Sequence, residues 1–185
     1  ETKTKEMDKK DKWNNWVFSL GGRARFTGDK NYKEKNLSVN SSAGRVTESS
    51  KLIFSVYNSA VNNTYTIGDN GIKSYLKTTN KYFEAEQEYV KSISPKWSWT
   101  AETAFRKSSS DNMKSSLAAA AGIEYNIYPY KLSSSKFFAI RFMLEAVDRK
   151  YIEETIYGKL KETLVSSNLG AYAYFTQPWG NISSS

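Results

Sequence analysis

Eight segments of the chain alternate between apolar and polar side chains, and this pattern limits the possible folds more than any other feature. In the first segment, residues 16–27, Phe18 and Leu20 alternate with residues such as Ser19 and Arg23. A repeat of two residues is that of a β-strand, whose successive side chains point to opposite faces. The sequence therefore predicts an all-β fold with one apolar and one polar face. The other segments are residues 37–46, 52–66, 82–90, 97–106, 117–127, 138–146 and 165–175.

The predicted strands have roughly 9–14 residues, which is long for a globular strand and suits a tilted strand that crosses a membrane. Residues 181–185 read as the opening of a ninth strand. Single-chain bacterial barrels have even strand numbers. We therefore expect an antiparallel up-and-down transmembrane β-barrel of ten or more strands, of which about eight are seen and the C-terminal strands lie beyond this sequence.

The segments between the predicted strands differ in length and composition. Three of the four short connections contain proline, which interrupts strands, whereas the others are mostly longer and rich in Lys, Asp, Asn, Ser and Gly. Outer-membrane barrels have short periplasmic turns and longer extracellular loops, so we expect the short turns and the N-terminus to be periplasmic. The short connections lie near residues 48–50, 93–96, 128–130 and 177–180, and the long loops are residues 28–36, 68–81, 107–115 and 148–161.

The aromatic content supports the same prediction. The chain has 13 Tyr, 9 Phe and 5 Trp, although only 39% of its residues are hydrophobic. This composition suits a barrel whose apolar face takes every second residue. Amphipathic rings prefer the water–lipid interface, so aromatic residues near the strand ends are predicted to form an interface girdle. They are Trp13, Trp16, Trp97, Trp99, Tyr128, Tyr130 and Trp179.

Charged residues on the polar sides of the strands are the only candidates for chemistry. Carboxylates whose pKa values differ can act as acid and base, and Glu84, Glu86 and Glu88 share one strand face. The favoured interpretation is that the carboxylates pair with arginines in a polar barrel interior. The predicted lumen-facing residues are Arg23, Arg25, Glu84, Glu86, Glu88, Glu102, Arg106, Glu124, Arg141 and Glu145.

Several classes of activity are excluded by what the chain lacks. It has no Cys and no His, which removes thiol chemistry, histidine bases and Cys/His zinc sites. It has no Gly-x-Ser-x-Gly motif, and the acidic segment 148–158 lacks the spacing of a calcium loop. We therefore predict no catalytic residues, no metal and no cofactor, and a protein that is not an enzyme.

The net charge of +8 is compatible with nucleic acid or an anionic membrane as partner. The lysines read as scattered rather than as a stripe, so nucleic acid is not expected. No apolar run approaches the length of a transmembrane helix. Residues 1–12 are almost wholly polar and are predicted to link the barrel, residues 13–185, to an upstream periplasmic segment.

Five motifs follow one another in the chain: WNNWVFSLG (13–21), TGDKNYK (27–33), AGIEYNIYPY (121–130), YIEETIYGK (151–159) and QPWG (177–180). In this order they resemble a family of uncharacterised Bacteroidota outer-membrane β-barrel proteins, over about residues 13–180. The run EETIYGK (153–159) is the most specific. The resemblance implies a signal peptide and a small periplasmic segment upstream, with further strands after the Pro-Trp-Gly turn. It implies no activity for individual residues.

Four functions are compatible with these features. The favoured one is a non-enzymatic outer-membrane barrel that is a structural or accessory subunit of an envelope complex. The expected partners are the lipid bilayer and lipopolysaccharide, with other outer-membrane or periplasmic proteins as candidates. The alternatives are a passive channel, an outer-membrane enzyme that uses carboxylates, and a soluble β-sandwich or lipocalin-like barrel with the aromatic face inside.

Overall fold

The computed structural model describes residues 12–69, 72–129, 132, 136–177 and 179–184, and these form one sheet of nine antiparallel strands. Each strand pairs with the next one in sequence, so the predicted all-β up-and-down architecture is confirmed. The strands are β1 (Trp16–Gly28), β2 (Tyr32–Val46), β3 (Ser50–Asp69), β4 (Ile72–Ser92), β5 (Trp97–Ser108), β6 (Met113–Asn126), β7 (Lys136–Tyr151), β8 (Lys161–Gln177) and β9 (Gly180–Ser184).

The ninth strand was expected from residues 181–185, and β9 confirms it as far as Ser184. The sheet is open, with β1 and β9 at its edges. Of the predicted linker, only Lys12 lies within the described residues. No helix long and apolar enough to span a bilayer is present in the described part of the chain.

The strand register brings the apolar sides of all eight long strands onto one face of the sheet. Residues directly opposite each other in an antiparallel pair point to the same face. A single row of such partners crosses the sheet from Phe18 on β1 to Val165 on β8. We call this side the apolar face and the other side the polar face. The row is Phe18, Ala43, Phe54, Gln87, Thr103, Ala119, Ala146 and Val165.

The polar face is the enclosed side of the sheet. Every buried residue among those described lies on it, whereas apolar-face side chains such as Leu20 and Leu169 are 81% and 72% exposed. The sheet also curves towards the polar face. The evidence is the contact between Arg141 on β7 and Glu88 on β4, whose charged groups lie 3.9 Å apart. In a flat sheet these strands would lie about 14 Å apart. The buried residues are Val90, Ser98, Thr100, Ser108, Ser116, Ala118, Glu124, Asn126, Ala139 and Val147.

The predicted contrast between short turns and long loops is wrong. At the end of the sheet where β1 begins, the lower end, the connections include residues 47–49 and 93–96; at the upper end they include residues 29–31 and 109–112. Most of the predicted loop residues extend the strands instead, and β3 and β4 reach 20 and 21 residues. The reason is that ladder hydrogen bonds join backbones, so polar segments of a hairpin continue to pair. Among the upper connections whose residues the structure describes, only residues 152–160 resemble the predicted loop.

Local side-chain chemistry supports the turns. Asn14 and Asn15 adopt φ angles of 51° and 64°, which Asn tolerates better than most residues, and they close the turn before β1. Between β1 and β2, the backbone amides of Asn31 and Tyr32 donate to Asp29 Oδ1 at 2.7 and 2.8 Å. These two hydrogen bonds lower the pKa of Asp29, so the turn is stabilised by the charged carboxylate.

Gly122 on β6 is predicted to be required for close packing of β6 against β7. A Cβ atom at this position would overlap the backbone oxygen of Phe142 and the Sδ atom of Met143. Overpacking of this kind costs about 1–3 kcal/mol, so Gly122→Ala should lower the free energy of unfolding by that amount. Urea unfolding of the purified protein measures it. The control is Gly22→Ala, because a Cβ atom added at Gly22 would lie 3.8 Å from its nearest neighbour, the backbone oxygen of Ser38. Equal losses of unfolding free energy in the two variants would contradict the importance of close packing at Gly122.

Candidate functional site

All ten charged residues predicted to face the lumen lie on the polar face, but they are divided between two regions. Arg23 and Arg25 are on β1, and the other eight are on β4 to β7. Arg25 Nε donates to Thr27 Oγ1 at 3.3 Å. Within the described residues neither β1 arginine has a carboxylate partner. Whether this face surrounds a lumen remains a prediction.

Arg141 is the centre of the β4–β7 cluster. Its guanidinium lies 2.8 Å from Glu124 on β6 and 3.3 Å from Glu102 on β5. Its carbon Cζ also lies 5.4 Å from the ring centre of Tyr172 on β8. One cation therefore connects the strands from β4, through Glu88, to β8. Arginine suits this position because its planar group presents five donors at once.

Glu124 is the most deeply buried charge of the cluster, with a side chain only 2% exposed. Arg141 Nε donates to its Oε2 at 2.9 Å, and Asn126 Nδ2 donates to its Oε1 at 3.0 Å. A buried carboxylate requires both a counter-charge and hydrogen bonds, and here it has both. The Glu124 to Arg141 pair therefore joins β6 to β7 inside the enclosed side of the sheet.

A second group of ion pairs lies nearer the solvent. Arg106 on β5 contacts Glu84 and lies 2.6 Å from Glu86, both on β4, and its side chain is 45% exposed. Lys51 on β3 lies 2.9 Å from Glu88. Because Glu88 also faces Arg141, the contacts run without a break from β3 to β8. The sequence correctly indicated pairing of carboxylates with arginines, but Lys51 was not among the predicted residues.

The polar face contains a recess of about 340 Å³. The carboxylates of Glu86, Glu88, Glu102 and Glu145 line it, together with Arg106. Glu145 accepts a hydrogen bond from Ser166 Oγ at 3.3 Å and has no ion pair with a described residue. No group of three or more acidic side chains in the described part of the chain could hold a metal ion. The recess is therefore lined by more acidic than basic side chains.

The apolar face carries charges only towards its two ends. Ten of its eleven charged strand residues with described side chains are cations, and Asp148 is the exception. Between them lies a band without Asp, Glu, Lys or Arg, which runs from Trp16 to Phe26 on β1 and from Val165 to Phe175 on β8. The upper cations are Lys33, Lys35, Lys77, Lys81, Lys107, Lys150 and Lys161, and the lower ones are Arg45, Lys91 and Lys136.

This ordered arrangement of the lysines was missed in the sequence, where they read as scattered. The sequence does contain the signal, because Lys35, Lys81 and Lys107 each occupy the alternate position that belongs to the apolar face of their strand. It becomes visible only when neighbouring strands are placed in register.

The predicted girdle aromatics lie together at the lower end of the sheet, with Tyr130 outside the described residues. Trp16 stacks on Phe18 with ring centres 5.9 Å apart, and Trp97 lies 5.0 Å from Tyr125. The remaining members are also at strand ends or turns of this end: Trp13, Trp99, Tyr128 and Trp179. Their common position agrees with the predicted girdle, and their contact with an interface remains a prediction.

No protein-family model matches this chain, and no similar curated protein or solved structure was found. The functional argument therefore depends on the geometry of the two faces.

Removal of the Arg141 guanidinium is predicted to destabilise the fold far more than removal of the Arg106 guanidinium. Arg141→Met leaves Glu124 buried without a counter-charge, which costs about 3–5 kcal/mol. Arg106→Met breaks more exposed pairs, which are worth about 0–1 kcal/mol each. The midpoint of urea unfolding measures both losses. The double variant Arg141→Met with Glu124→Gln should recover part of the loss, and an Arg106 effect as large as that of Arg141 would contradict this ranking.

Proposed function

We propose that this chain forms part of an integral β-barrel of the bacterial outer membrane, and that the barrel is a non-enzymatic structural or accessory subunit of an envelope complex. The observation that carries the proposal is the exposed, charge-free apolar band on a sheet whose buried residues, among those described, all lie on the polar face. A soluble protein rarely exposes a continuous apolar patch of more than a few hundred Å². In a membrane, the same band would contact the lipid chains, and its apolar side chains would be removed from water.

The distribution of burial argues against the soluble alternative. A soluble β-sandwich or lipocalin-like barrel would place Leu20, Phe142 and Leu169 in its core. Here all three are exposed, whereas Ser98, Thr100 and the other buried residues lie on the opposite face. An apolar exterior with a polar interior is the arrangement of outer-membrane barrels.

On the outer strands the length of the band matches a bilayer crossing. It extends from Trp16 to Phe26 on β1 and from Val165 to Phe175 on β8, ten residue steps on each strand. At about 3.3 Å per residue and a tilt of about 40°, this stretch projects to about 25 Å, the height of the apolar band in outer-membrane barrels. The band is shorter on β2 and β4, where Leu37–Ala43 and Phe83–Tyr89 give six residue steps, about 20 Å along the strand, and lysine or arginine follows at both ends.

The register provides a separate measure of the tilt. The row of partners that begins at Phe18, near the lower edge of the band, reaches Val165 at its upper edge on β8. On β1 the upper edge is Phe26, eight residues beyond Phe18. Across the sheet, the row of partners therefore shifts by eight residues, about 26 Å, relative to the upper edge of the band. The seven strand spacings of about 4.8 Å add up to about 34 Å. If the edge of the band is parallel to the membrane, these two lengths correspond to a strand tilt of about 38°. Membrane barrels have strands tilted by about 35–45°.

The polar face supports a structural rather than a catalytic role. Its central carboxylates are held in ion pairs with Arg106 and Arg141, and the chain has neither His nor Cys. The aromatic cluster at the lower end and the resemblance to Bacteroidota outer-membrane barrels support the location. The proposed orientation places this lower end, and with it the N-terminus, in the periplasm.

The proposal is tested by fractionation of the native cells and gentle-detergent purification of the full-length tagged protein. Recovery from the outer membrane together with other proteins in stoichiometric amounts supports an accessory subunit. The identity of those proteins then indicates the envelope process in which the complex acts. Recovery in the soluble fraction would overturn the membrane assignment.

The recess on the polar face favours a passive channel as the second candidate. Its four carboxylates suit the passage of polar solutes. Recovery from the membrane without companions, followed by steady single-channel conductance in planar bilayers, would favour the channel over the subunit.

A matched pair of neighbouring positions on β8 tests which face contacts lipid. Leu169 lies in the apolar band and Asn168 on the polar face, and both are exposed. Leu169→Arg should cost about 2–4 kcal/mol at the bilayer midplane and reduce assembled protein, whereas Asn168→Arg should be tolerated. The amount of heat-modifiable protein in the outer membrane measures assembly. In a soluble sheet an arginine at a side chain as exposed as Leu169 would be harmless, so equal tolerance would reject the facing assignment.

A further inference from the structure

We propose that the lysines at the upper end of the apolar face bind phosphorylated lipid headgroups of the outer leaflet, an inference that rests on the proposed membrane location. The surface, here called the upper rim, has one lysine from each of five strands. Its members are Lys35 on β2, Lys81 on β4, Lys107 on β5, Lys150 on β7 and Lys161 on β8.

The upper-rim lysines lie just beyond the upper edge of the charge-free band. On β2, β4 and β5 the lysine occupies the next apolar-face position after the last residue of the charge-free band, namely Leu37, Phe83 and Phe105. On β7 and β8 it is one apolar-face position further away. All five lysines are exposed. A side chain at this height, on the side that faces lipid, lies at the level of the headgroups.

On β2, β4 and β5 the upper rim follows the edge of the band and not the rows of the sheet. Lys107 is the register partner of Phe83, so it is displaced by two residues from Lys81. Lys81 is in turn the partner of Ala60, two residues from Asn62, which pairs with Lys35. Both steps have the direction of the proposed strand tilt. Lys150 and Lys161, in contrast, are direct register partners and form one cross-strand pair at the same end of the face.

The cations of the two ends differ in their hydrogen-bond partners, with Lys136 as the exception. At the lower end Arg45 donates to the backbone oxygen and to Oδ1 of Asn14, at 3.0 and 3.2 Å, and Lys91 donates to Ser49 Oγ at 3.4 Å. Among the described residues, neither Lys136 nor any upper-rim ammonium group has an ion pair or a hydrogen bond, and Lys107 lies 5.4 Å from the Phe105 ring. The one acidic side chain nearby on this face, Asp148, accepts a hydrogen bond from Thr163.

A set of like charges without protein partners attracts external anions, because neighbouring cations repel one another. The upper rim fits phosphate in particular, since lysine is a compact point charge with three donors. The apolar band directly beneath it would accommodate the acyl chains of the same molecule. The chemistry therefore indicates a phosphorylated amphiphile rather than a free anion.

The experiment compares two triple variants of the full-length protein with the same change in net charge. One carries Lys81→Gln, Lys107→Gln and Lys150→Gln in the upper rim. The control carries Lys91→Gln, Lys96→Gln and Lys136→Gln near the lower end. Native mass spectrometry in detergent, with added lipid A as a phosphorylated glycolipid and phosphatidylcholine as a zwitterionic lipid, measures retention of each lipid.

The upper-rim variant should bind lipid A about tenfold more weakly or worse, while the control stays close to wild type. Inorganic phosphate at millimolar concentration should not displace the lipid. Equal losses in the two variants, no loss in either, or displacement by inorganic phosphate would overturn the inference. A wild-type protein that inserts into phosphatidylcholine vesicles but shows no preference for lipid A would overturn only this inference. Failure to insert into any vesicle would overturn the proposed function itself.

Discussion

Strand register is the constraint on which the remaining structure depends. Because side chains alternate between the two faces, a slip of one residue between β6 and β7 would place Arg141 and Glu124 on opposite faces and Phe142 on the side of Glu124. The ion pairs oppose such a slip. Arg141 holds Glu124, Glu102 and Glu88 from three successive strands, so the correct register is also the one in which buried charges are neutralised.

The two faces solve different electrostatic problems. On the polar face, burial makes a lone carboxylate expensive, and Glu124 is tolerated because Arg141 and Asn126 satisfy it. On the apolar face, the free-energy cost of a charge in an apolar environment is avoided because the band contains no charged side chain and the lysines lie at its ends. The net charge of +8 is therefore not a general property of the surface. Among strand residues, the apolar face has the positive excess, whereas acidic residues outnumber basic ones on the polar face.

The sequence predicted the faces better than the ends of the strands. Alternation around Phe138 to Ala146, or Leu117 to Ile127, is a local property of neighbouring residues, and the structure has strands over most of both segments. The ends were misjudged because residues such as Thr78 and Thr79, which lie in a predicted loop, have loop-like polarity but pair with Asn63 and Asn62 across the β3–β4 hairpin. The pairing of carboxylates with arginines was expected in general terms. Which residues pair depends on partners up to 53 positions apart in the chain, as for Glu88 and Arg141, and composition carries no such information.

The sequence by itself determined that the chain forms strands with two unlike faces, that His and Cys chemistry is absent, and that aromatic residues gather near strand ends. These are properties of single segments, set by the two-residue repeat of the extended backbone. Only the tertiary structure decided which face is enclosed, which carboxylates share Arg141, and that lysines from five strands form one rim. Those features depend on register and curvature, which arise from hydrogen bonding between strands and cannot be read from any strand alone.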